Sequence, residues 1–190
     1  MSKQQATSKG GRGARQRILD AAAELFYRDG INATGVERLA AESSVSKRTL
    51  YQHFPSKTAV VEEYLRSTED RVATLLQGAD QTPRERLLAV FEAPMARGGS
   101  LRGCPFHNAA VEAAGVMPGV QEIVRTSKRS FIDGLTELAK QAGAADPQLL
   151  GNELGVLYEG AAALATSLDD WSPWAPARAA AAALIDHALS

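Results

Sequence analysis

The 190-residue sequence contains a single cysteine, Cys104, so an intrachain disulfide and a multi-cysteine zinc site are both excluded. It has no run of the ~18 uncharged apolar residues that a membrane-spanning helix needs. Its opening, MSKQQATSKGGRGARQ, lacks the apolar stretch of a secretory signal. The expected compartment is therefore the cytoplasm, with no membrane partner. Also missing are any β-hairpin signal, any alternating apolar and polar run, and any internal repeat. With 45% hydrophobic and 23% charged residues the chain is nonetheless composed like a folded globular protein. An all-α architecture is the economical expectation.

The net charge of −1 conceals an imbalance. Residues 1–57 carry ten Lys and Arg against five Asp and Glu, whereas residues 58–190 carry eleven against seventeen. A basic head on an acidic body suits a polyanion-binding module joined to a body that does not bind, because cationic side chains displace counterions from a phosphate backbone.

Residues 1–13 are polar and aperiodic and are expected to form a flexible basic tail, with order starting near Ala14. Ile18, Ala22, Leu25 and Phe26 then fall on one face of a helix that stops at Asp29-Gly30. Thr34 and Glu37 have the spacing of a capping box, in which hydroxyl and carboxylate satisfy each other's first-turn amides, and the helix they open reaches about Glu42. Ser46 caps a third, short helix from Lys47 to about His53. On it Lys47, Arg48, Tyr51 and Gln52 share a 140° arc at 100° per residue, while Leu50 points back towards the first two helices.

Phe54-Pro55-Ser56-Lys57 leads into a long fourth helix striped with Val60, Val61, Tyr64, Leu65, Val72 and Leu75. Further helix starts are expected at Thr82-Pro83 with Glu85, at Cys104-Pro105, at Pro118, at Asp146-Pro147 and at Pro176, with breaks at residues 97–100 and at Gly115. That makes about nine helices in three segments: a tail at 1–13, a helix-turn-helix domain at 14–57 and a helical domain at 58–190.

Two short helices joined by a tight turn, the second with a polar cationic face, fit the major groove of duplex DNA, which admits one helix. Thr34 at a helix start, Lys57, Tyr51 and His53 are candidates for phosphate contacts. Residues 14–65, ARQRILDAAAELFYRDGINATGVERLAAESSVSKRTLYQHFPSKTAVVEEYL, closely resemble the DNA-binding domain of the TetR family of bacterial regulators, most densely over VSKRTLYQHFPSK at 45–57. The resemblance implies that Thr34, Ser46, Tyr51, His53 and Lys57 contact the DNA backbone and that Lys47, Arg48 and Gln52 face the bases. Two positions depart from the family pattern. Gly35 stands where threonine or serine is usual, and Ser44 stands where the turn usually has glycine. A left-handed backbone at Ser44 would cost on the order of 1 kcal/mol.

Residues 103–114, GCPFHNAAVEAA, resemble a segment of TetR-type sensor domains. The family's middle helices enclose a small-molecule pocket, and the residues expected to line it here are Phe91, Met95, Cys104, Phe106, His107, Phe131 and Tyr158. Cys104 and His107 lie three apart, but two ligands do not make a metal site and no third group is evident to orient the histidine. Neither a metal, a cofactor nor a catalytic role is therefore expected.

The penultimate helix carries Leu150, Leu154, Leu157, Ala161, Leu164 and Leu168 on one stripe, with Gly151, Gly155 and Gly160 among them, and the last helix is alanine-rich. Smooth apolar helices of this kind suggest a homodimer through the last two helices. The sequence therefore points to a cytoplasmic, nucleoid-associated repressor that leaves a palindromic operator when an unidentified small-molecule effector binds its C-terminal domain.

Overall fold

A computed structural model describes residues 11–76, 80–97, 102–113 and 115–190, side chains at 11–12, 70–75 and 93–97 excepted. Met95, one of the expected lining residues, thus falls outside the described side chains. Among the described residues there are nine helices and no strand: α1 Gly11–Asp29, α2 Val36–Glu42, α3 Lys47–His53, α4 Lys57–Leu75, α5 Pro83–Arg97, α6 Pro105–Glu112, α7 Pro118–Ala142, α8 Pro147–Leu168 and α9 Trp174–Ala188. No helix among them is long and apolar enough to cross a membrane.

Four of these helices open on proline, whose missing N–H is one of the first-turn amides without an intrahelical partner anyway. The cap expected from spacing forms at Thr82, and a second side-chain cap is found at Asp146. Thr82 N donates to Glu85 Oε2 at 2.8 Å while Glu85 N donates to Thr82 Oγ1 at 3.3 Å, and Leu149 N donates to Asp146 Oδ1 at 3.0 Å. The last helix begins at Trp174, two residues ahead of Pro176. Burial of the Trp174 ring draws the chain into helical conformation early, and Pro176 sits in the first turn, where no amide is needed. α1 likewise starts at Gly11, inside the stretch expected to be a tail.

The chain divides into two compact units, 1–64 and 65–190. The division falls inside α4 and not at the expected 57/58, because Val60, Val61 and Tyr64 are buried, with Tyr64 edge-on to Phe26 of α1 at 5.6 Å between centroids. The core of the first unit is Ile18, Ala22, Leu25 and Phe26 of α1, closed by Leu39 of α2 and Leu50 of α3.

In the second unit α7 and α8 pack closely. A Cβ added at Gly151 would stand 2.9 Å from the backbone N and Cα of Thr136, so only glycine admits this approach. Leu150, Leu154 and Ala161 of α8 are buried against Leu135, Leu138 and Ala139 of α7 and Ala181 and Ile185 of α9. Much of the stripe expected at a dimer interface therefore faces the unit's own core, as do Gly151 and Gly155. α8 is apolar on more than one side, and the side that packs is the one whose glycines let the α7 backbone close in.

Candidate nucleic-acid interface

α1 ends at Gly30, which takes φ 98°. The following turn does not use Thr34 as a cap. Gly35 occupies the N-cap position of α2 with no side-chain bond. The Thr34 hydroxyl is fully buried and donates instead to the carbonyl of Gly30 at 2.8 Å. A carbonyl at the end of α1 lacks an intrahelical donor, and satisfying it inside the unit outweighs satisfying an exposed amide that water can reach. Thr34 is thus a turn-holding residue whose hydroxyl is not presented to solvent. The expected Thr34–Glu37 box does not form, and Glu37 is left free to pair elsewhere.

The C-terminus of α2 closes by the paired hydrogen bonds of a Schellman motif: Val45 N donates to Ala40 O at 3.0 Å and Ser44 N to Ala41 O at 3.1 Å. The motif requires a left-handed residue, and Ser44 takes φ 51° as the departure from glycine implied. Arg17 of α1 braces the same turn, its Nε 3.0 Å from the carbonyl oxygen of Ser43. Ser46 then caps α3, its Oγ accepting from Thr49 N at 3.0 Å.

This anchoring sets the rotation of α3. Leu50 is fully buried, while Lys47, Arg48, Tyr51 and Gln52 are exposed together, Tyr51 at 48%. His53 and Lys57 are half-buried at the edge of that face. The four side chains expected to read DNA are therefore exposed together on α3.

Charge counting overstates how much cation this unit offers. Arg15 pairs with Glu63, Arg28 with Glu24 and Asp29, Arg38 with Asp29 at 2.8 Å, and Lys47 with Glu37 at 2.5 Å. The hydrogen bond from Lys47 holds the Glu37 carboxyl below its ordinary pKa, and the same bond raises that of Lys47, so both are charged at neutral pH. Arg48, the next residue of α3, has no carboxylate against it among the described residues.

The six expected lining residues whose side chains are described do not border a common groove. Phe91 and Phe106 are core residues, 0% and 2% exposed. Tyr158 stacks among Phe91, Phe131 and Trp174 at centroid distances of 6.1, 5.0 and 5.1 Å. Cys104 and His107 border an open groove of about 270 Å³ between α6 and α8, and Phe131 borders a separate one of about 290 Å³ with Arg86, Ser127 and Leu138. Aromatic rings spaced for a pocket are equally spaced for a core, and here they fill it.

The partner of Cys104 was not legible from its neighbours in sequence. Lys128 of α7 donates to the Cys104 sulfur at 3.3 Å and also pairs with Glu159 of α8. Burial opposes the charge on Lys128, yet Cys104 and Glu159 together raise its pKa above the usual lysine value. His107, by contrast, is exposed.

The family model described as "Bacterial regulatory proteins, tetR family" matches residues 18–64, the helices just described. The fold extends the likeness over most of the chain. It is similar to a solved TetR-type transcriptional regulator of Streptomyces avermitilis, 33% identical, covering 92% of this chain and 97% of that one with a TM-score of 0.78. Two curated relatives match over the N-terminal part. They are the transcriptional activator FasR of Mycolicibacterium smegmatis, 39% identical over 42% of this chain and 37% of its own length, and the transcriptional repressor KstR2 of Rhodococcus jostii, 40% identical over 33% and 31%. The matched region thus spans about a third of either curated relative.

Proposed function

The chain belongs to the TetR family and is a DNA-binding transcriptional regulator, not an enzyme, and on that premise we propose that it represses transcription from a palindromic operator as a homodimer released by a small molecule. The observation that carries the DNA side of this reading is the rotation of α3: with Leu50 buried and Ser46 capping, Lys47, Arg48, Tyr51 and Gln52 are presented together to the major groove. Lys47, Arg48 and Gln52 face bases, while Ser46, Tyr51, His53 and Lys57 hold phosphates. Thr34 serves by fixing the turn, and its hydroxyl takes no phosphate. The protein acts in the cytoplasm, where its DNA lies.

The homodimer reading rests on the part of the expected stripe that stays exposed, Leu164 at 55% and Leu168 at 61%, together with a further face of α8. Leu149, Val156, Gly160 and Ala163 fall within about a 60° arc at 100° per residue, all of them exposed, Val156 at 74%. A Cβ at Gly160 would meet nothing within 4 Å, which leaves room for a partner helix to approach. Ala175, Ala179, Ala180 and Ala183 give α9 a smooth exposed face of the same kind. Exposed apolar surface of this sort on two long helices is what a symmetric four-helix interface covers. Two reading helices about one DNA turn (~34 Å) apart then match a palindrome, and an effector that alters their spacing loses the fit.

The deciding experiment is a gel-shift titration against the DNA flanking the gene, with wild type, Lys47→Ala and Arg48→Ala. Weaker binding by both variants and a steep fall with salt support the reading; variants equal to wild type overturn it. Light scattering tests the dimer: wild type at twice the chain mass and Val156→Asp at the monomer mass are expected, and a monomeric wild type at micromolar concentration refutes it. For the effector, a compound that raises the melting temperature and releases DNA is sought. Loss of that response in His107→Ala or in Phe131→Ala assigns it to one groove or the other. Loss of a reporter's repression on deletion, as opposed to loss of its expression, fixes the sign.

A further inference from the structure

We propose that Glu37 is a base-reading residue, acting with Lys47 as a paired acceptor and donor that selects a cytosine–guanine pair in each half of the operator. The proposal rests on the placement of α3 in the major groove argued above. Lys47 is the first residue of α3, the end of a reading helix that approaches base edges. Glu37, in the first turn of α2, brings a carboxylate oxygen to 2.5 Å from its ammonium. Both side chains stay open to solvent, at 73% for Glu37 and 54% for Lys47. Arg38, next to Glu37, is already held by Asp29 and does not neutralise it.

A carboxylate at this position has no packing role, and an exposed ion pair contributes little to folding. It is also repelled by phosphates, so plain affinity for DNA would be served better without it. What it adds is discrimination. In the major groove a carboxylate accepts from the N4 amino group of cytosine, whereas an ammonium donates to O6 and N7 of guanine. Held together, the two groups match the N4 donor and the O6 and N7 acceptors of one cytosine–guanine pair; adenine–thymine also offers a donor and an acceptor, but there adenine N7 opposes the carboxylate and the thymine methyl stands where the ammonium needs a second acceptor.

The test is selection from short duplexes with randomised sequence by wild type, Glu37→Ala and Glu37→Gln, followed by affinity measurements on the selected and on an unrelated duplex. Wild type is expected to enrich cytosine–guanine at one position of each half-site. Glu37→Ala should lose about tenfold of that preference and bind the unrelated duplex several-fold more tightly. Glu37→Gln should shift the preferred base from cytosine towards adenine, which an amide reads. Melting temperatures of both variants should equal that of wild type, since the side chain is exposed.

Unchanged preference at every position in both variants overturns the proposal, and so does uniform weakening on all sequences, which marks a structural role. A wild type with no base preference at all overturns the placement of α3 itself and the proposal with it. Enrichment by wild type without the Glu37-dependent position overturns the proposal alone.

Discussion

The two units of this chain use similar residues to different ends. In residues 11–64 the polar and cationic side chains of a seven-residue helix remain on the surface, because one leucine, Leu50, takes the whole burden of burying α3. In residues 65–190 the aromatic side chains are drawn inward: Phe91, Phe131, Tyr158 and Trp174 pack ring against ring, and α8 and α9 each leave an exposed face of alanine, glycine, valine or leucine. A site made by one short helix can thus be read from its own spacing. A surface made by long helices apolar on several sides cannot, because what remains exposed depends on which side found a partner.

The sharpest way to break this contrast is Phe91→Ala. As a core ring it should cost about 3–5 kcal/mol of the second unit's stability, measured by urea unfolding. A variant of unchanged stability that lost only an effector response would return Phe91 to a pocket wall.

Next in size is the difference between the two cations of the reading face. Arg48→Ala should weaken operator binding by about 1–3 kcal/mol, and Lys47→Ala by less, because its charge is already partly compensated by Glu37. Equal losses by fluorescence anisotropy would show that the pair dissolves on the DNA.

Thr34→Val should cost about 1–2 kcal/mol by orphaning the Gly30 carbonyl, with operator affinity unaltered below the melting transition. The opposite pattern, stability kept and affinity lost, would put the hydroxyl on a phosphate after all. The smallest effect expected is a gain. Ser44→Gly relieves a left-handed serine at φ 51° and, after the extra chain entropy of glycine, should stabilise the first unit by about 0.5 kcal/mol in thermal unfolding.

Helix starts were legible at Ser46, at Thr82 with Glu85, and at Asp146, where a side-chain oxygen serves an amide three residues away and no distant residue is needed to complete the bond. The exposed face of α3 followed from the same economy. Thr34 obeyed the same spacing and still turned inward, because a second acceptor, the Gly30 carbonyl, lay within reach on the buried side. At α8 the stripe with the best spacing divides: Leu150, Leu154 and Ala161 are core, whereas Leu164 and Leu168 stay exposed beside Leu149, Val156 and Gly160. For Cys104 the nearby His107 was the visible candidate, and the partner is Lys128, brought from α7 by helix packing.

By itself, then, the sequence determined most of the helices, the caps at Ser46 and at Thr82 with Glu85, and the face of α3, each fixed by hydrogen bonds and periodicities that close within a few residues. Only the tertiary structure decided where Thr34 points, which side of α8 is left for a partner, what Cys104 touches and that Glu37 stands beside Lys47. Those choices turn on competition among several nearly equal local solutions, and packing between helices distant in sequence breaks the tie.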